Sequence, residues 1–382
     1  MGEQTWAARF AMPLALVALL AGCCRGALAA ESPRYVAVPL GSLGGGSSHA
    51  TAINARGDVT GLSRTAGGEV HAFVLLNGVM RDLGTLGGPR SEAYSISAIG
   101  WTTGASYASA SESYAFISDG TTMASLAAAG QGATGYGINA SGHVTGRMLV
   151  AGEWRAFLYA GGTLTNLGSF GEASSYGWAI NTRGEVLVTA ETFPGPTHTY
   201  VVRGGAVTSL GTLGGASTFG VAINEHGNVT GSSETATGQS HAFLYTGTGL
   251  TDLGTLGNDS HGMGINGARD IVGRSHISGV GSRAMLAQGG TMYDLNTLVI
   301  RGLLGSDVLA FASGINDGGQ IVANTCDTTI TPVQTCSAYR LDPLPPVAEV
   351  PVLGLGALIL LALTLAVAAG GRLLGRSAAA RR

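Results

Sequence analysis

The stretch from Gly214 to Gly257 recurs seven times along the chain, and a fixed internal period limits the fold more than length does. The copies align on Asn54, Ser97, Asn139, Asn181, Asn224, Asn266 and Asn316, spaced by 43, 42, 42, 43, 42 and 50 residues. Helical repeats of that length would show apolar residues at 3.6-residue spacing. Here the apolar residues alternate over short runs broken by Gly, which is a strand pattern. Each unit yields four strands, in the first unit His49 to Ile53, Asp58 to Leu62, His71 to Leu76 and Val79 to Leu83. An Asn-x-x-Gly turn joins the first two, as in Asn54 to Gly57: Asn closes a side-chain turn and Gly takes the positive φ that ends it. Unit six shifts its Gly to Gly267, and unit two has Ser97-Ala-Ile-Gly100.

Four antiparallel strands in about 42 residues make one propeller blade. A leading strand, Tyr35 to Leu43, precedes six full units, and a seventh unit ends after its third strand, Ser337 to Leu341. The total is 28 strands, so the expectation is an all-β, seven-bladed β-propeller over residues 31–344, with the leading strand completing the last blade. Pro39 is tolerable there because a fourth strand is an outer edge. First strands should lie innermost. Four and two residues before the landmarks stand only Ala, Gly or Ser, as close approach to an axis requires, and the residue directly before each landmark is Ile.

Glycine accounts for 63 of 382 residues and charged residues for only 11%. All 20 basic residues are arginines, which excludes a Walker-type phosphate loop and Schiff-base chemistry. Residues 31–350 hold 14 Arg against 22 acidic residues, a net charge of −8 that repels a phosphate backbone and argues against nucleic acid as a partner. No catalytic set, metal site or cofactor motif emerges. Gly130-Gln-Gly-Ala-Thr-Gly135 mimics a dinucleotide loop but enters a strand where that loop opens a helix. His71, His198 and His241 recur once per blade, with Tyr114, Arg155 and Arg283 in that place elsewhere, which suits hydrogen-bonded strand surfaces better than metal binding. The Asp of Asp-Leu-Gly reads as a strand-end cap. The candidate ligand site is the position five before each landmark: His49, Glu92, Thr134, Tyr176, Phe219, His261 and Phe311. In a closed ring these would surround one channel mouth, either to plug it or to hold a sugar or a cation.

Residues 1–30 read as an export signal, with Arg9, an apolar run and a small-x-small site at Ala27-Leu-Ala29. Leu20-Ala-Gly-Cys23 also resembles the lipobox of bacterial lipoproteins, which would lipidate Cys23. After a linker at 345–350, residues 351–371 are uncharged and long enough to span a bilayer, and the basic tail 372–382 should stay cytoplasmic. In an exported chain Cys326 and Cys336 are expected to form a disulfide.

The pairs His71-Ala-Phe73 with Asp82-Leu-Gly-Thr-Leu-Gly-Gly88, and His241-Ala-Phe243 with Asp252-Leu-Gly-Thr-Leu-Gly257, resemble the HAF repeats of extracellular bacterial proteins. The likeness covers roughly residues 36–342 and implies an exported repeat protein without implying a reaction. Val350-Pro-Val-Leu353, followed by an apolar segment and arginines, resembles the Ile-Pro-Thr-Leu type of C-terminal sorting signal that exosortase-type peptidases process. The resulting expectation is a non-enzymatic binding or structural module at the cell surface or in an extracellular matrix. Its expected partners are the secretion machinery, a sorting peptidase, the membrane through the C-terminal helix, and a polysaccharide or surface protein. The alternatives are a carbohydrate-active hydrolase or lyase at the channel mouth and an envelope lipoprotein scaffold.

Overall fold

Runs such as Val59-Thr-Gly-Leu-Ser and His71-Ala-Phe-Val-Leu form antiparallel strands whose inward residues pack between neighbouring sheets. The computed structural model describes residues 32–109, 112–126, 132–326 and 336–345. The chain divides into two compact units, Met1–Leu344 and Pro345–Arg382. The expected signal peptide, with Cys23, and the expected membrane helix with its basic tail lie outside the described residues. Among the described residues no helix is long and apolar enough to cross a membrane.

The architecture is all-β and propeller-like. Four sheets have four strands each, paired in chain order. An eight-stranded sheet contains two further such sets, joined where Val70 pairs in parallel with Arg90. The remaining sheet holds Phe311–Ile315, Ile321–Asn324 and Ala338–Pro343, completed by Tyr35–Pro39 from the other end of the chain. Tyr35 lies opposite Pro343 and Pro39 opposite Tyr339, so the leading strand does close the last sheet as its sequence suggests.

This sheet also has a fifth strand that the repeat pattern does not foretell. Val299–Arg301 pairs in parallel with Tyr35 and Val36, so the leading strand is flanked on both sides and Pro39 escapes conflict by lying beyond the extra pairing. The source is the long spacing of 50 residues between Asn266 and Asn316. Its additional residues form a single-turn helix, Leu295–Leu298, capped by Asp294, and the new strand. They cover the seam, where the Tyr339 hydroxyl bonds Asp307 at 2.5 Å and receives the Leu304 N–H at 3.2 Å.

The landmark asparagines link one unit to the next. Asn224 Oδ1 accepts the N–H groups of His226 and Asn228 and closes its own turn, while its amide reaches the carbonyl of Asn266 in the next unit at 2.8 Å. The same reach runs from Asn54 to Ser97, Asn139 to Asn181, Asn181 to Asn224, Asn266 to Asn316 and Asn316 back to Asn54, at 2.9–3.4 Å. Ser97 lacks an amide and interrupts the chain of contacts once. In unit six Arg269 occupies the place of the turn glycine, with φ of 71°.

At the periphery the His-Ala-Phe pattern acquires a physical meaning. The Nδ1–H of His71 donates to Asp82, and that of His241 to Asp252, at 2.9 Å, while each aspartate also accepts the N–H of Gly84 or Gly254. The third strand is thereby pinned to the end of the fourth. His198 instead bonds Glu172 at 3.2 Å. Ala72 and Ala242 donate to Ser91 and Ser260 of the following unit, and Phe73, Phe116, Phe157 and Phe243 are fully buried beneath. Burying a Phe side chain contributes about 2–3 kcal/mol, so these four anchor the inter-sheet layers. Cys326 and Cys336 form the expected disulfide, and Cys336 exchanges hydrogen bonds with Ser47 and Ser48 of the first unit.

Candidate functional site

Every innermost strand carries a β-bulge at one place. In the first unit Ala50 pairs with Gly61 and Ala52 with Thr60, so Thr51 has no residue opposite it. The same skip isolates Tyr94, Tyr136, Trp178, Val221, Met263 and Ser313, each three residues before its landmark. A bulge re-aims the residue it frees. In five units the second strand places a glycine opposite, where a Cβ on Gly61, Gly104, Gly146, Gly231 or Gly273 would fall 1.9–2.0 Å from a carbonyl oxygen of the bulged strand; Val188 and Ala323 hold that position in the other two.

These seven residues form one tier of a cavity of about 540 Å³ on the axis. The small residues one step later form a second tier, and the seven isoleucines Ile53, Ile96, Ile138, Ile180, Ile223, Ile265 and Ile315 form a third. His49 and Phe311 complete the lining, their rings 5.3 Å apart.

The wall is lopsided. Tyr94 and Tyr136 lie 5.5 Å apart, Trp178 stacks on Tyr136 at 4.6 Å and 20°, and Phe219 meets Trp178 edge-on at 5.1 Å. The opposite arc of Val221, Met263, Ser313 and Thr51 is smaller. Thr51 and Ser313 hydroxyls are spent on the carbonyls of Ala93 and Ala50.

Polar groups gather beside the aromatic arc. The Glu92 carboxylate is held by Arg90, by the Tyr94 hydroxyl and, at 3.3 Å, by the Tyr107 hydroxyl. Burial first, then the Glu92 charge, push the Tyr94 hydroxyl well above its usual range. Burial also raises Tyr136 to about 12, against the opposing pull of Arg147. The Arg147 guanidinium lies over the rings of Trp154 at 4.3 Å and of Tyr136 and Tyr176 at 5.8 Å. Arg147 Nε, Trp178 Nε1 and His49 Nε2 are all buried without a hydrogen-bond partner. Burial pushes the His49 imidazole down to about 4. Among the described residues no group of three His, Cys, Asp or Glu could hold a metal ion.

Of the sequence-based candidates, His49 and Phe311 line the cavity. Tyr176 and Phe219 pack on Trp178 from outside the lining, Glu92 sits in its own network, and Thr134 is buried within 3.5 Å of Ser113. His261 pairs in register with Arg274. The bulge explains the difference, since it hands the axial direction to the residue two positions later. That residue is absent from the sequence-based set because its seven occupants share no type. Alternation between the five-before and one-before positions was the available signal.

No family model and no curated protein sequence matches the chain. Solved structures do. The β-propeller domain of the Trilobed protease from Pyrococcus furiosus, described as having an open velcro topology, aligns with TM-score 0.51 at 10% identity over 81% of this chain and 98% of that one. A prolyl endopeptidase aligns with TM-score 0.54 at 11% identity, over 81% of this chain but 51% of its own. TolB from Acinetobacter baumannii aligns with TM-score 0.43 at 10% identity, over 61% of each chain. The chain thus spans about half to three-fifths of the length of the endopeptidase and TolB. At such identities the first two likenesses establish the fold alone.

Proposed function

We propose that the chain is a closed seven-bladed β-propeller, exported from the cell, that works as a binding module through its axial cavity. The observation that carries this reading is the lining itself. Two seven-membered tiers are small residues or isoleucine, whereas the bulge tier between the strand start and the landmarks is chemically diverse and aromatic on one side. The volume falls within the roughly 300–1,000 Å³ typical of small-molecule sites, and unpartnered donors stand beside the aromatic arc. The asparagine links returning from Asn316 to Asn54 support the closed ring.

The export signal at 1–30 and the apolar segment 351–371 with its arginines support a place in the envelope or outside the cell, anchored at least transiently. A polysaccharide or a surface protein is the partner class. Mass spectrometry of the mature chain tests the address: cleavage near Ala30 fits it, lipidated Cys23 would make it an envelope lipoprotein, and an intact Met1 would contradict export. Binding is tested by following tryptophan fluorescence of the purified full chain against a glycan panel. A saturable change that disappears in Trp178→Leu is expected; no saturable change on any member would overturn the reading.

The alternative is a carbohydrate-active hydrolase or lyase at the channel mouth, and a hydrolase needs two carboxylates flanking a glycosidic bond. The lining residues include neither Asp nor Glu, and Glu92 already serves Arg90, Tyr94 and Tyr107. The binding reading therefore has the stronger support.

A further inference from the structure

Resting on that reading, we infer that the aromatic side of the cavity selects an acidic sugar, a pyranose ring bearing a carboxylate, with Arg147 as the selecting residue. A sugar ring offers a face of C–H bonds that packs on indole and phenol faces, and Trp178 stacked on Tyr136 provides such a platform. A cationic ligand would also favour an aromatic wall, but that role is already filled. The Arg147 guanidinium stands over Tyr136, Tyr176 and Trp154, so a second cation would meet like charge.

The guanidinium is itself incomplete. Its contacts are with ring faces, and Nε is buried without a hydrogen-bond acceptor. Leaving a buried donor of a charged group unsatisfied is costly, and a ligand carboxylate would supply the missing acceptor in the planar geometry guanidinium favours. The nearby carboxylates do not fill this role: Glu92 is held by Arg90 and two tyrosines, and Glu191 accepts from Tyr176 at 3.2 Å. Trp178 Nε1, also buried without a partner, offers a second donor for a ring hydroxyl on the same wall. Platform and spare donor belong to the lining, and Arg147, outside the lining, stands over the Tyr136 ring on that side, whereas the arc of Val221 and Met263 offers none of them.

The test is isothermal titration of the full chain in detergent with trigalacturonate, with its neutral counterpart galactotriose, and with an aspartate-rich hexapeptide. The acid trisaccharide should bind at least about tenfold more tightly than the neutral one, and about 0.5 M salt should erase most of that margin. Arg147→Gln should bring trigalacturonate down to the galactotriose level while galactotriose is unchanged, and Trp178→Leu should abolish binding of both. Should Arg147→Gln fail to fold, the salt response of the unaltered protein still decides. Equal binding of the two trisaccharides, or a margin indifferent to salt or to Arg147→Gln, overturns the inference and leaves the binding-module reading standing. Peptide binding as tight as trigalacturonate overturns it in favour of a protein partner. Absence of binding by either sugar here, together with a silent glycan panel, removes both readings.

Discussion

The collar of isoleucines and asparagines and the bulge tier beside it lie on the same seven strands, yet they vary in opposite ways. Directly before the landmarks the residue is Ile in all seven units, and the landmarks are Asn in all but Ser97. Two positions before the isoleucines stand Thr51, Tyr94, Tyr136, Trp178, Val221, Met263 and Ser313. Identical residues meet one repeated packing demand; a diverse set on the same scaffold answers to something that is not sevenfold. Under the binding function proposed above, stability resides in the repeated positions and recognition in the unrepeated ones.

Filling the space of a glycine that faces the bulged strand should have the largest effect. In Gly146→Val the new Cβ would meet the Thr134 carbonyl oxygen at 1.9 Å and the Phe157 ring at 2.9 Å. A loss of about 3 kcal/mol or more is expected in denaturant unfolding, because backbone must move. Next comes acid. His49 is held neutral in the fold, with its imidazole lowered from 6.5 to about 4, so the unfolded chain binds the extra proton between those values. This contribution is therefore intact above pH 6.5 and is lost as pH falls toward 4, by up to about 3 kcal/mol. His49→Gln should flatten that part of the stability–pH curve; an unchanged slope would show that the ring is not buried in the cavity.

In the collar, Asn224→Ala removes two turn bonds and the link to Asn266, an expected loss of about 2 kcal/mol by thermal unfolding. Ser97→Asn should sharpen the same point by adding the missing link, with a gain of about 0.5–1 kcal/mol. Arg269→Gly relieves a left-handed arginine and should stabilise by about 1 kcal/mol.

Much of this was legible in the chain. The spacing of the landmarks, the period-two runs and the single strand Tyr35 to Leu43 at the front suffice to arrange the sheets and join the two ends. Cys326 pairs with Cys336, and His71 is hydrogen-bonded and Asp82 caps its strand end, as their positions suggest, although their bond to each other was not among the expectations. The bulge was not legible because one unpaired residue leaves no gap in a sequence; it becomes visible only when pairing is known, although the small residues on either side of Thr51 or Trp178 mark its flanks. The extra strand Val299–Arg301 escaped because an insertion has no second copy to be aligned with.

The division of labour is tested most directly by comparing Trp178→Leu with Asn224→Ala in one pair of assays, unfolding free energy and glycan binding. Trp178 lines the cavity and should cost about 1 kcal/mol yet abolish binding, whereas Asn224, a collar residue outside the lining, should cost about 2 kcal/mol and leave the affinity of the folded fraction unchanged. The reverse pattern, a structural tryptophan and an asparagine whose loss alters only affinity, would contradict the account.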